Sequence, residues 1–138
     1  MPSTRKQLLA RGFFVFIFAL GGPNHFRDPA FYAAMMPPFM PAPDAMVALS
    51  GVTELLTAVL LLIPRTRFLG AVSSALHLAV FLIVHVFMVV RPDLWPAVPV
   101  AALWLRLAIQ LFAIALAVWL ARAERAVAAA ASQTQPAA

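Results

Sequence analysis

Hydrophobic positions along the 138-residue chain gather into four long runs, parted by short stretches rich in proline and arginine. The runs fall at residues 5–22, 46–63, 68–90 and 97–121. Each approaches the ~20 residues that a helix needs to cross a bilayer core ~30 Å thick. The first is apolar only from residue 8. Its fifteen apolar residues reach ~22 Å, so the helix is expected to begin near Ser3 or Thr4, with Arg11 stretching its guanidinium toward the headgroups. Gly12, Phe16 and Ala19 share one face and are expected to pack it. A basic start, a short apolar core and Ala19-Leu20-Gly21 also fit a cleavable signal peptide; a retained span is the reading adopted.

Residues 23–43 differ in kind. They hold Pro23, Pro29, Pro37, Pro38, Pro41 and Pro43, six of the chain's twelve prolines. A continuous helix is not expected through them, because each proline removes a donor and crowds the preceding turn. Asp28-Pro29 reads as an N-cap followed by the first helical position, so a short helix should run over residues 29–35. Phe26, Phe31, Tyr32, Met35, Met36, Phe39 and Met40 make the loop too apolar for free solvent. It should lie on the membrane surface or fold back as a lid over the mouth of the helices.

Composition agrees with a membrane class. Hydrophobic residues make up 64% of the chain and charged residues 11%, against roughly 25% charged in soluble domains. One domain suffices, residues 1–122, with residues 123–138 prolonging the last helix briefly and then fraying as a cytoplasmic tail. The absence of cysteine excludes disulfide-relay chemistry and thiolate-held metal. The net charge of +5 is no nucleic-acid footprint, since the basic residues sit at the ends of apolar runs. Arg5, Lys6, Arg11, Arg65, Arg67, Arg122 and Arg125 fall on one side of four spans, and Arg27 and Arg91 on the other. The positive-inside rule then places both termini in the cytoplasm and the 23–43 loop outside. The expected fold is all-α: a polytopic membrane four-helix bundle.

Candidate chemistry lies in polar residues set among the apolar ones. Ser50, Thr53, Glu54 and Thr57 share a helical face. Gly70, Ser74, His77, Phe81 and His85 form a second stripe, and Ala102, Arg106, Gln110, Ala113 and Ala117 a third. Mixed faces of this kind point inward. Glu54 carries the dearest group, costing ~2.5–3.5 kcal/mol if charged at a helix centre in the bilayer. Glu54 and Arg106 both lie ~12 Å below the outer boundary and are expected to pair, directly or through Gln110 or a water. His25 sits at the outer mouth, His85 is shallow and His77 is deeper. A metal site is not expected, because no H-x-x-x-H or H-E-x-x-H run is present. No phosphate loop, catalytic triad or paired-carboxylate motif occurs.

The motif order resembles the DoxX-like family of small four-helix bacterial membrane proteins. It is carried by His25-Phe26-x-x-Pro29-x-Phe31, Met36-Pro37-Pro38-x-x-Pro41, Ser50-Gly51-x-x-Glu54-Leu55, Pro64-Arg65-Thr66-Arg67 and Arg106-Leu107-x-x-Gln110. The likeness covers residues 11–119. Leu82-Ile83-Val84 stands where relatives often have Pro-Ala-Asn, and Ala108 where they often have proline. The resemblance implies a bacterial inner-membrane location and links to quinone-associated redox complexes, with quinone as the one cofactor it admits. It supplies no catalytic residues and leaves open whether the chain is an enzyme.

Three readings follow. The first is an accessory or subunit of a quinone-linked membrane redox system, with an outward-opening polar pocket drawn from His25, Ser50, Glu54, Thr57, His77, His85, Arg106 and Gln110. Its electrons would enter from a redox partner subunit. The second is a non-catalytic assembly or stability factor for membrane proteins. The third is a proton or small-solute carrier, for which four spans are few without a homodimer. The lipid bilayer is the partner common to all three.

Overall fold

The computed structural model describes residues 3–133. Among them are five α-helices and no strand: α1 (Arg5–Arg27), α2 (Pro29–Ala33), α3 (Pro43–Leu62), α4 (Arg67–Val90) and α5 (Val100–Gln133). A single 3-10 turn, Pro92–Leu94, interrupts the link from α4 to α5. Residues 134–138 of the expected tail lie outside the described residues.

The helices begin where their local chemistry allows. Thr4 and Gln7 close a reciprocal capping box at the start of α1, which satisfies two otherwise orphaned donors. Asp28 caps α2 by accepting from the Phe31 amide at 3.1 Å, with Pro29 in the first turn. Proline also opens α3, where Ala42 adopts a left-handed φ of 47°.

α1 runs through Pro23 to Arg27, contrary to the expectation that proline ends the helix near Gly22. Proline withholds one amide, the one that would serve the Ala19 carbonyl a turn earlier, and a packed helix tolerates that single loss. Two residues on, the ring of His25 adds a bond to the Gly21 carbonyl at 3.0 Å. Gly22 and His25, either side of the proline, are buried.

α3, α4 and the Val100–Ala130 part of α5 are long and apolar enough to cross a membrane. The expected first span is helical but is not one of these three. Arg5, Lys6, Gln7, Arg11, Asn24, His25 and Arg27 dilute its apolarity.

Packing follows a ring: α1 lies on α3, α3 on α4, α4 on α5, and α5 returns to α1. The buried positions recur mostly at steps of three or four. On α1 they are Gln7, Ala10, Arg11, Phe14, Phe18, Gly22 and His25; on α5 they include Leu103, Gln110, Ala113, Ala117, Leu120 and Glu124. This is the spacing of helices that keep one seam toward their neighbours. The α1 seam is not the Gly12–Phe16–Ala19 face: those three residues are exposed. Leu8, Leu9, Phe13, Phe16, Ile17 and Leu20 also face outward, as they would toward lipid.

At the end of the α1–α3 seam nearest the 23–43 loop the backbones come close. A Cβ added to Gly51 would sit 2.7 Å from the Phe26 ring and 3.0 Å from the Gly22 carbonyl oxygen. Small residues permit that approach, and it carries the end of α1 against Glu54.

Arg11 does not reach for the headgroups. It is buried and pairs with Glu124 at 2.8 Å. A domain end at residue 122 would cut this pair, so the packed unit extends into the stretch read from sequence as tail.

Candidate functional site

Close packing at Gly21 fixes the position of Glu54. A Cβ at Gly21 would meet Glu54 Oε2 at 2.5 Å, so the carboxylate rests against bare backbone. Glu54 is 5% exposed, and its two oxygens differ. Oε1 lies 3.2 Å from His77 Nε2. Oε2 has no hydrogen-bond partner among the described residues and lies 3.8 Å from His25 Nδ1. The expected Glu54–Arg106 pair is not formed. α3 and α5 stand across the ring rather than side by side, and Arg106 turns to Met35 of the lid. The neighbouring helices α1 and α4 supply histidines instead.

His77 continues into a polar row. Its Nδ1 is 3.3 Å from Thr53 Oγ1, whose hydroxyl is also 3.0 Å from the carbonyls of Leu49 and Ser50. A carboxylate only accepts, so Nε2–H of a neutral His77 donates to Glu54 Oε1 and Nδ1 is left to accept from the Thr53 hydroxyl. Deeper, Thr57 donates to the Thr53 carbonyl at 2.7 Å and accepts from Ser73 at 2.6 Å.

Above Glu54, toward the 23–43 loop, a cavity of about 140 Å³ opens. α1 contributes His25, α3 Val47 and Ser50, α4 Phe81, Val84 and His85, α5 Arg106, and the α2 segment Tyr32, Met35 and Met36. The loop therefore folds back as a lid. It is held by the His25–Tyr32 stack, with ring centroids 3.8 Å apart, and by Trp95, whose indole donates to the Ala34 carbonyl at 3.0 Å. Phe39 meets Phe87 edge-on on the same side.

His25 and His85 are set by one device. Each ring donates Nδ1–H to the carbonyl four residues earlier, Gly21 at 3.0 Å and Phe81 at 2.9 Å. That bond fixes the tautomer and leaves Nε2 as the free nitrogen. Arg106 has no carboxylate partner among the described residues; its one hydrogen bond goes to Met35 Sδ at 3.4 Å, a weak acceptor. The cavity thus offers one strong fixed donor and two imidazole nitrogens within apolar walls. Tyr32 adds a phenol whose pKa is raised, first by burial and then by the negative charges of Glu54 and Asp28.

His25, His85, Met35 and Met36 would be the soft-metal ligands of this cavity. The guanidinium in the same space opposes a cation and already engages the Met35 thioether. No cluster of three His, Cys, Asp or Glu residues suited to a metal occurs among the described residues.

Of the residues expected at the site, His25, Ser50, His85 and Arg106 meet in the cavity, and Glu54 and His77 lie behind it. Thr57 is fully buried below. Gln110 is apart, donating to the Leu78 carbonyl at 2.6 Å. Sequence reading placed Tyr32, Met35 and Met36 in a lid but not at the site, and it missed the Arg11–Glu124 pair.

Fold and site together define an all-helical protein with three helices able to span a membrane and a lidded cavity at one end. Residues 14–121 match the family described as a domain of unknown function (DUF8561), and the chain belongs to that family. No curated protein and no solved structure matches it.

Proposed function

We propose that this is a four-span membrane protein whose extracytoplasmic cavity binds a small aromatic or quinone-like ring, as an accessory or subunit of a quinone-linked redox system. The apolar outer face of α1 supports a fourth span beside the three clear ones. Removing buried Arg11 from the charge count leaves six basic residues on the side of the termini against Arg27 and Arg91 on the other. That imbalance still favours N-in, C-in.

The observation that carries the ligand reading is the meeting of Arg106, lacking a carboxylate, with the free Nε2 atoms of His25 and His85 in one apolar cavity. A dry cavity of ~150 Å³ holds a benzene-sized ring, so the space suits a single ring. A carbonyl oxygen would accept from Arg106, and a ring hydroxyl would donate to an imidazole. The walls of Val47, Phe81, Val84, Met35 and Met36 would hold the carbon skeleton.

The test is binding of a short-chain benzoquinone and its quinol to detergent-purified protein, followed by the fluorescence of Trp95, which is bonded to the lid. Arg106→Ala should weaken quinone binding about tenfold to a hundredfold, the worth of a charged hydrogen bond of roughly 1.5–3 kcal/mol. Val84→Phe should abolish it by filling the cavity. Affinities unchanged in both variants would contradict the proposal and favour the assembly-factor reading.

A further inference from the structure

The Glu54 carboxylate is not used by the ligand contacts just described, yet its placement is specific. It is buried, one oxygen is held by His77, and the other faces His25 with no hydrogen bond among the described residues. His25 in turn lines the cavity and keeps Nε2 free.

We propose that ligand binding in the cavity is coupled to uptake of one proton by His25, with Glu54 as its fixed counter-charge and His77 holding that carboxylate in position. This rests on the cavity reading above and names its regulation. A proton entering from the cavity side attaches to Nε2 of His25. Nδ1–H stays on the Gly21 carbonyl, and the resulting imidazolium turns its positive edge toward Glu54 Oε2. Nε2–H then donates to an acceptor oxygen on the ligand as a charge-assisted bond, stronger than a neutral one. No bond to carbon changes and no electron moves; the proton passes from water to the ring nitrogen.

Charge placement favours this course. A lone imidazolium under an apolar lid is costly, and a carboxylate 3.8 Å away offsets it. The other groups around the pair are His77 and His85 on α4, Tyr32 on the lid and Arg106 on α5. Arg106 is the only one with a permanent positive charge, and its own bond is to Met35. Tyr32 stacks on the His25 ring, so an acceptor that recruits the proton also engages the lid.

The experiment measures short-chain benzoquinone affinity across about pH 5 to 8, the range in which histidine titrates, together with protons taken up per ligand by calorimetry in buffers of different ionisation heat. Wild type should take up close to one proton. On the alkaline limb its affinity should fall about tenfold per pH unit. Glu54→Gln, which keeps a hydrogen-bonding group for His77, should bind with nearly flat pH dependence. Gly21→Ala keeps the charge but displaces Oε2, and should flatten it in part. Full proton uptake in a folded Glu54→Gln protein would overturn the inference.

A second readout needs no ligand. The protein has three histidines, and 15N shifts report their ring protonation separately. The imidazolium form of His25 at mildly acidic pH should be depleted in Glu54→Gln. If wild type binds no quinone while this depletion is seen, the cavity reading fails and the His25–Glu54 coupling stands. If the His25 signal is the same in both proteins, the coupling fails whatever binds.

Discussion

Arg11 and Glu124 stand 113 positions apart in the chain and meet at 2.8 Å, each more than nine-tenths buried. The bond ties the first turns of α1 to α5 at the end of the molecule opposite the cavity. α1 is otherwise joined mainly to α3, so this pair closes the ring of helices. Removing one partner should strand the other charge. Arg11→Leu or Glu124→Leu should each cost about 3–5 kcal/mol, whereas the double variant should be near neutral. Thermal unfolding of the three proteins in one detergent measures this, and a double variant as unstable as the singles would refute it.

Two glycines on the two packed helices should respond in opposite ways. Gly51→Ala puts a methyl group into the Phe26 ring and the Gly22 backbone, and overpacking of this kind costs about 1–3 kcal/mol. Gly12 has nothing within 4 Å of an added Cβ. Gly12→Ala should therefore stabilise α1 by up to about 1 kcal/mol through helix propensity alone. The melting temperatures of the two variants should bracket that of wild type.

Tyr32 is the only tyrosine, so tyrosinate absorbance titrates the lid directly. Burial and the charges of Glu54 and Asp28 raise its pKa. The fold therefore favours the neutral phenol. The stability this contributes is complete below the ordinary value of about 10 and is lost as pH rises through the higher folded value. The absorbance midpoint should lie above that of free tyrosine. Glu54→Gln should lower it without reaching the free value, because burial, the larger cause, persists. A midpoint indifferent to Glu54 would place the lid elsewhere.

Membrane orientation can be read with single cysteines, since the chain has none of its own. A cysteine at exposed Pro41 in the lid loop should react with an impermeant maleimide added outside intact cells. One at exposed Arg65, between α3 and α4, should react only after permeabilisation. The reverse pattern would invert the proposed topology.

Much of the architecture could be read from the chain. Apolar runs marked the helices, Asp28-Pro29 marked the start of α2, and the polar stripes of α3, α4 and α5 mark buried seams at Glu54, Ser74 and Gln110. The partner of Glu54 could not be read, because depth along a helix says nothing of which helices are neighbours. Arg106 stands across the ring on α5, and His25 reaches Glu54 through the close approach of Gly22 to Gly51. Arg11–Glu124 did leave a trace. Continuing the steps of three and four along α5, from Arg106 through Ala117 and Leu120, lands on Glu124. The same steps along α1, from Phe14 back toward the start, land on Arg11. The composition of the alanine-rich segment obscured the continuation.

The most direct test of the cavity is native mass spectrometry of protein extracted gently from its membrane, with identification of any retained small molecule. Wild type should carry an apolar, ring-bearing molecule with hydrogen-bonding oxygens, absent from Val84→Phe of equal stability. Wild-type protein that is empty, or a Val84→Phe protein carrying the same molecule, would contradict a ligand site beneath the lid.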